Sequence, residues 1–309
     1  MLRKKIEALK QNLSRTIFGK DEVIESLITA MYAGGNVLME DVPGVGKTTL
    51  AKALALSISG EFSRIQFTPD MLPSDIIGSS IFNPKDSEFH FRKGPIFTNI
   101  LLADEINRAS PRTQSALLEA MNERQVSIDG KTMHLARPFL VIATENPVEY
   151  HGTYPLPEAQ LDRFAMQLSL GYPSEEHEME ILYSRKEKDP IHEISPVLSC
   201  DDITAIQDEV CKIEIEKSVA AYMVRLINST RNDPRIKLGA SPRALLTLSR
   251  CSQSRAYINN RSFVIPDDVK RLSVITLAHR IMLENKEKYS GVTSASVVED
   301  IIDRTEVPA

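Results

Sequence analysis

The chain has 309 residues, 42% of them hydrophobic and 26% charged, with a net charge of −5. That is enough apolar material for two well-packed domains, and it excludes disorder and any general electrostatic attraction to nucleic acid or to an anionic membrane. Three scattered cysteines (Cys200, Cys211, Cys251) lack metal-ligand spacing and predict reduced thiols; no apolar signal core follows Met1, and no stretch approaches a membrane span, so a cytoplasmic protein without a membrane partner is expected.

The first predicted strand, 36–39, runs through Glu40-Asp41-Val42-Pro43-Gly44-Val45-Gly46-Lys47-Thr48-Thr49 into a helix predicted over 48–59. On that helix Leu50, Ala53, Leu54, Ser57 and Ile58 share one face, and Gly60 is the expected stop. A polyphosphate needs converging backbone N–H donors, no intruding side chains and the positive end of a helix dipole, and a strand–glycine turn–helix unit supplies all three. Pro43, Gly44, Val45, Gly46, Lys47, Thr48 and Thr49 are therefore the candidate phosphate-loop residues, with the Lys47 amine for the β- and γ-phosphates and the Thr48 hydroxyl for Mg²⁺. The usual pattern has a glycine five residues before Gly46, where this chain has Asp41.

Further strands are predicted over 63–67, 99–104, 139–144 and 166–170, alternating with helices over 111–123 and 157–164; Ser110-Pro111 is a good start signal for the first of these. This order predicts a doubly wound parallel α/β sheet with helices on both faces. The run Ile100-Leu101-Leu102-Ala103 ends in Asp104-Glu105, at the strand end where a parallel sheet presents its ligands. Asp104 is the second candidate Mg²⁺ ligand, and Glu105 the candidate base for an attacking water. Two hairpins are expected, one over 81–97 and one over 126–135 turning at Asp129-Gly130.

After Tyr172-Pro173-Ser174 the strand pattern gives way to amphipathic helices, which predicts a core over 1–172 and a helical lid over 173–309. Val219, Tyr222, Met223, Leu226 and Ile227 form one helical stripe, and Ser241-Pro242 and Pro266-Asp267-Asp268 open two more helices. Pro173 reads equally as a hinge or as a plain strand-ending proline. Between Arg225 and Arg271 ten basic residues stand against three acidic ones. A solvated helical face, or a surface turned toward nucleotide or an acidic neighbouring subunit, accounts for this better than a nucleic-acid patch, because no aromatic residues are interleaved for stacking.

Together these segments resemble the MoxR family of AAA+ ATPases over nearly the whole length. The resemblance is carried by Ile17-Phe18-Gly19-Lys20, the loop from Glu40 to Thr49, Ala103-Asp104-Glu105-Ile106-Asn107-Arg108-Ala109, Ala143-Thr144-Glu145-Asn146-Pro147, Leu161-Asp162-Arg163-Phe164 and Gly239-Ala240-Ser241-Pro242-Arg243-Ala244. It implies a phosphate-loop NTPase fold, ATP and Mg²⁺ as ligands, and Phe18 and Gly19 beside the adenine. It further implies Asn146 as the sensor amide near the γ-phosphate, Arg163 as the arginine entering a neighbour's site, with Arg108 as the alternative, and Arg243 as a lid arginine facing the nucleotide cleft. The two hairpins resemble inserts that face a ring axis, although ordinary surface hairpins would look the same.

The function implied by the resemblance is Mg²⁺-dependent ATP hydrolysis by a homo-hexameric, chaperone-like factor that remodels a client, and a partner protein with a von Willebrand factor A domain is implied in the same way. A nucleotide-gated scaffold with little turnover is the alternative; Glu105 and Arg163 argue against it, since a pure binder needs neither. A nucleic-acid motor is a third reading, disfavoured by the acidic charge.

Overall fold

The computed structural model describes residues 2–128, 130–146, 153–184 and 189–308. In chain order its elements are α1 (Leu2–Ser14), α2 (Asp21–Tyr32), β1 (Val37–Glu40), α3 (Lys47–Ser57), β2 (Phe62–Gln66), α4 (Pro73–Ile77), β3 (Gly78–Asn83), β4 (Glu88–Lys93), β5 (Ile100–Asp104), α5 (Pro111–Glu123), β6 (Gln125–Ile128), β7 (Lys131–His134), β8 (Leu140–Glu145), α6 (Glu158–Leu161) and β9 (Met166–Leu168). They continue with α7 (Glu175–Ser184), α8 (Cys200–Val210), α9 (Lys217–Asn232), β10 (Ile236–Leu238), α10 (Pro242–Ile258), α11 (Pro266–Leu277), β11 (Met282–Leu283), α12 (Asn285–Tyr289) and α13 (Ser294–Arg304).

Five strands form one parallel sheet in the order β2-β5-β8-β1-β9. Strand alternation sorts their side chains onto two faces. Val37, Met39, Ile100, Leu102, Leu140 and Ile142 join the core packed against α1, α2, α3 and the C-terminal helices. Leu38, Leu101, Ala103, Val141 and Ala143 join the core under α4 and α5. Because both faces are covered, the central strands read as unbroken apolar runs. The doubly wound α/β architecture expected from the sequence is what forms.

Helix α3 ends at Ser57, and the left-handed residue that stops it is Ser59 (φ 50°) rather than the expected Gly60. The Gly60 N–H then reaches back to the Ala55 carbonyl at 2.9 Å, closing the last turn. Both hairpins form, β3 with β4 and β6 with β7; Asp129, in the turn of the second, lies outside the described residues. Phe82 and Phe89 stack edge to face at 5.4 Å on the first hairpin while 49% and 71% exposed.

The C-terminal part is dominated by helices, and Val219, Tyr222, Met223, Leu226 and Ile227 are all buried on α9 as the stripe predicts. Strands do not vanish there: β10 and β11 pair antiparallel. These strands have three and two residues, too short to leave an alternation pattern. Helices α1 and α2, ahead of the first strand, were not anticipated as elements; Leu9, Leu13, Leu27 and Ile28 bury them against the sheet. Four of the ten basic residues in the run over 225–271 are paired with carboxylates of the same chain. Arg235 pairs with Asp233 and Asp300, Arg255 with Glu25, Arg261 with Asp268 and Arg271 with Glu22.

Candidate nucleotide site and a second arginine-lined cavity

The carboxyl ends of β1, β5 and β8 converge on a cavity of about 300 Å³, lined among others by Gly44, Lys47, Thr48, Asp104, Glu105 and Asn146. Pro43, Gly46 and Thr49 complete the loop side. Gly44 and Gly46 sit at φ 89° and 102°, a region that L-residues avoid, and a Cβ on Gly44 would meet nothing within 4 Å. The turn is thus an open cradle of backbone at the start of α3. Lys47 bends back, its Nζ donating to the carbonyls of Asp41 (2.9 Å) and Val42 (3.2 Å).

Asp41 has a structural reason for standing where a glycine is usual. Its buried carboxylate accepts hydrogen bonds from the Ser169 hydroxyl and from the N–H groups of Leu170 and Gly171, each at 2.8 Å. The loop is therefore anchored to the segment that leaves β9 and enters the linker.

Across the cavity, Asp104 Oδ1 accepts the Thr144 hydroxyl at 2.6 Å, and its Oδ2 pairs with Arg64 Nη2 at 2.7 Å. The Thr144 hydroxyl oxygen in turn accepts the Glu105 N–H at 2.9 Å. Glu105 is held at φ 57°, ψ 50°, a left-handed conformation that costs a non-glycine residue on the order of 1 kcal/mol. Its carboxylate is paired with Arg108 Nη1 at 2.9 Å. Arg64, Gln66 and Thr144 line the same cavity and were missed from the sequence. They sit on the strands flanking β5, Gln66 opposite Asp104 and Arg64 opposite Leu102 on β2, and Thr144 near the end of β8, a relationship that only sheet order creates. Asn146 is buried in the lining of this cavity; Pro147, after it, lies outside the described residues.

Next to Asn146, burial pushes the Glu145 carboxyl up to about 7, with Glu40 adding like charge. Glu40 stands opposite Glu145 in the β1–β8 register, and its own carboxylate accepts from Gln167.

A cavity of about 380 Å³ adjoins the loop and is lined by Ile17, Phe18, Pro43, Val45, Tyr172 and Pro173 among others. Phe18 lies where a flat apolar base would pack. Gly19 does not line this cavity; the His177 ring covers its α-carbon instead.

Arg163 and Arg243 lie elsewhere. They line a third cavity, of about 310 Å³, with Gly34, Gly35 and Asn36 at the amino end of β1, whereas the phosphate loop follows its carboxyl end. The four residues of β1 alone separate the two by about 13 Å. The expectation that Arg243 faces its own chain's cleft is therefore corrected. Ser241 does cap α10, accepting from the Ala244 N–H at 3.1 Å, but the helix start is turned toward Asp162. Arg163 Nη1 donates to the Leu118 carbonyl at 2.9 Å.

Every hard-oxygen donor that a divalent cation would need, Thr48 and Asp104 above all, faces the same small cavity as the amide cradle, so the residues fit a Mg²⁺–nucleoside triphosphate. The sheet order, the loop after β1 and the carboxylate pair after β5 define a phosphate-loop NTPase with a helical lid. Residues 36–166 match the ATPase family associated with various cellular activities (AAA), and residues 228–301 match the AAA lid domain. The chain is 48% identical to the uncharacterized protein YeaC of Bacillus subtilis, over 96% of this chain and 93% of that one. It is 40% identical to the chaperone MoxR1 of Mycobacterium tuberculosis, over 96% and 80%. A crystal structure of a candidate ATPase from Cytophaga hutchinsonii superposes with a TM-score of 0.92 at 38% identity, covering 100% of this chain and 96% of the other. The chain belongs to the MoxR family of AAA+ ATPases. No helix among the described residues is long and apolar enough to cross a membrane.

Proposed function

We propose that the chain hydrolyses ATP with Mg²⁺ as a head-to-tail ring, a homo-hexamer, and uses the cycle to remodel a client protein. The observation that carries the ring is the opposition of two cavities: Lys47, Asp104 and Glu105 at one edge of the sheet, Arg163 and Arg243 at the other. No chain can fold its own Arg163 onto its own phosphate loop, but a heterologous contact lays one edge on the other and repeats around a closed ring.

In this reading Thr48 and Asp104 would hold the metal, which supplies charge neutralisation of the phosphates when bound. Lys47 leaves the carbonyls of Asp41 and Val42 to meet the β- and γ-phosphates. Glu105 exchanges Arg108 for a water molecule, orients it and takes its proton. Asn146 holds the same water or the γ-phosphate from the neighbouring strand. Arg163 of the adjacent copy offsets transition-state charge, and Arg243 beside it ties the neighbour's lid to nucleotide state. Phe18 packs on the base. Arg108, paired with Glu105 on its own chain, is better suited to holding that carboxylate between turnovers than to reaching a neighbour. The client role rests on family membership and on the chaperone naming of the M. tuberculosis relative; a partner with a von Willebrand factor A domain remains part of the proposal.

The test is mass in solution with and without ATP, beside phosphate release by wild type and Arg163→Ala. We expect assembly with ATP, and a loss of about 10³-fold in turnover for the variant. Wild-type turnover per chain that is unchanged on dilution to monomers would overturn the ring.

A further inference from the structure

The third cavity holds more positive charge than two trans-acting arginines require. Four guanidinium groups line it, Arg124, Arg163, Arg243 and Arg250, against the single carboxylate of Asp162. That carboxylate is already committed, accepting the Ser241 hydroxyl and facing Arg280 Nη1 at 3.6 Å. Arg163 Nε and Arg250 Nη1 are both buried with no hydrogen-bond partner. Buried cationic donors without acceptors are costly, and clustering them adds repulsion, so the arrangement is one that an anion would satisfy.

The local backbone is shaped to hold Arg124 there. It ends α5 in a left-handed conformation (φ 50°, ψ 33°), where a glycine is usual. Its Nη2 donates to the Gly34 carbonyl at 3.1 Å, and a Cβ on Gly34 would come within 2.9 Å of that same nitrogen. Arg250 lies seven residues after Arg243 on α10, two turns along the same face and about 10 Å further on.

We propose that Arg250 and Arg124, together with Arg163 and Arg243, form one receptor for a phosphoanhydride oligoanion, namely the phosphates of the nucleotide held by the neighbouring copy. Arg250 donates through Nη1, which now lacks an acceptor, and Arg124 closes the core side of the cavity. This rests on the ring reading above and adds two residues to it.

Two arms test it. In the first, pyrophosphate is titrated by calorimetry into Lys47→Ala, whose own phosphate loop is crippled, and into Lys47→Ala/Arg250→Gln. The second protein should bind about tenfold more weakly or worse, with Lys47→Ala/Arg250→Lys between them and thermal midpoints alike. Equal affinities would overturn the receptor. In the second arm, Arg250→Gln alone should lose about 10²-fold in saturated turnover at little-changed KM for ATP, as Arg124→Gln should. Mixing Arg250→Gln with Lys47→Ala should restore turnover, because an intact loop then meets an intact arginine cavity. Lost pyrophosphate binding without restoration on mixing would assign the cavity to a free anion and overturn the neighbour's nucleotide as its ligand. Wild-type turnover in Arg250→Gln would sink this proposal alone, whereas a wild-type protein that never hydrolyses ATP would sink the ring ATPase beneath it.

Discussion

The Asp162 carboxylate accepts the Ser241 hydroxyl through both oxygens, at 3.0 and 2.9 Å, so a single contact ties the residue before Arg163 to the residue that caps the helix bearing Arg243. The same loop is held a second time, because Arg280 and His279 both donate to the Phe164 carbonyl. Core and lid arginines are therefore positioned as a unit rather than separately.

Removing that carboxylate should be expensive. In Asp162→Ala the Arg280 side chain, 1% exposed, loses its counter-charge, a change worth about 3 kcal/mol of folding stability. Chemical denaturation should show the loss, while the affinity of the monomer for ATP should not move, since the nucleotide cavity lies at the other edge of the sheet.

For Glu105→Gln the amide keeps the size and the left-handed backbone of the native residue but cannot take a proton. ATP should still bind, and phosphate release should fall by about 10² to 10⁴. A variant that releases phosphate at the native rate would remove Glu105 from the role of base.

Restoring the common glycine at position 41 should harm this protein. Asp41→Gly deletes three hydrogen bonds to a buried carboxylate, which together are worth about 3 kcal/mol or more. The loop Pro43–Gly46 and the linker at Tyr172 then lose their common anchor. Urea titration should register the first effect, and a rise of about tenfold in the KM for ATP the second.

Stability should fall as the solution becomes less acidic, through Glu145. Its folded carboxyl keeps a proton up to about pH 7, whereas an unfolded glutamate releases it near the ordinary carboxylate value. Between those values the native state binds more protons than the unfolded one, so each rise in pH favours unfolding. Glu145→Gln should therefore be more stable than wild type by about 3 kcal/mol at pH 8, the gap closing below pH 5. Thermal melts of the two proteins across that range measure it directly.

Local chemistry made much of this molecule readable along the chain. A phosphate loop is a contiguous device: Gly44 and Gly46 set the turn, Lys47 and Thr48 open the helix, and nothing distant is needed to recognise them. The apolar runs of β5 and β8 gave the buried parallel sheet for the same reason, since both faces of each strand must be covered. The stripe on α9 likewise follows from a repeat of 3.6 residues. The short strands β10 and β11 left no pattern because two or three residues cannot show a period.

What the linear order could not carry was which edge of the sheet each side chain faces. Arg163 and Arg243 stand far apart in sequence, and both carry the chemistry of a phosphate contact, yet only the direction of β1 and the clamp from Asp162 to Ser241 put them together and away from Lys47. Arg64 and Thr144 meet Asp104 only because β2 and β8 flank β5. Composition and spacing chose the groups; the packing of helices on a parallel sheet, which has two distinct ends, chose the company they keep.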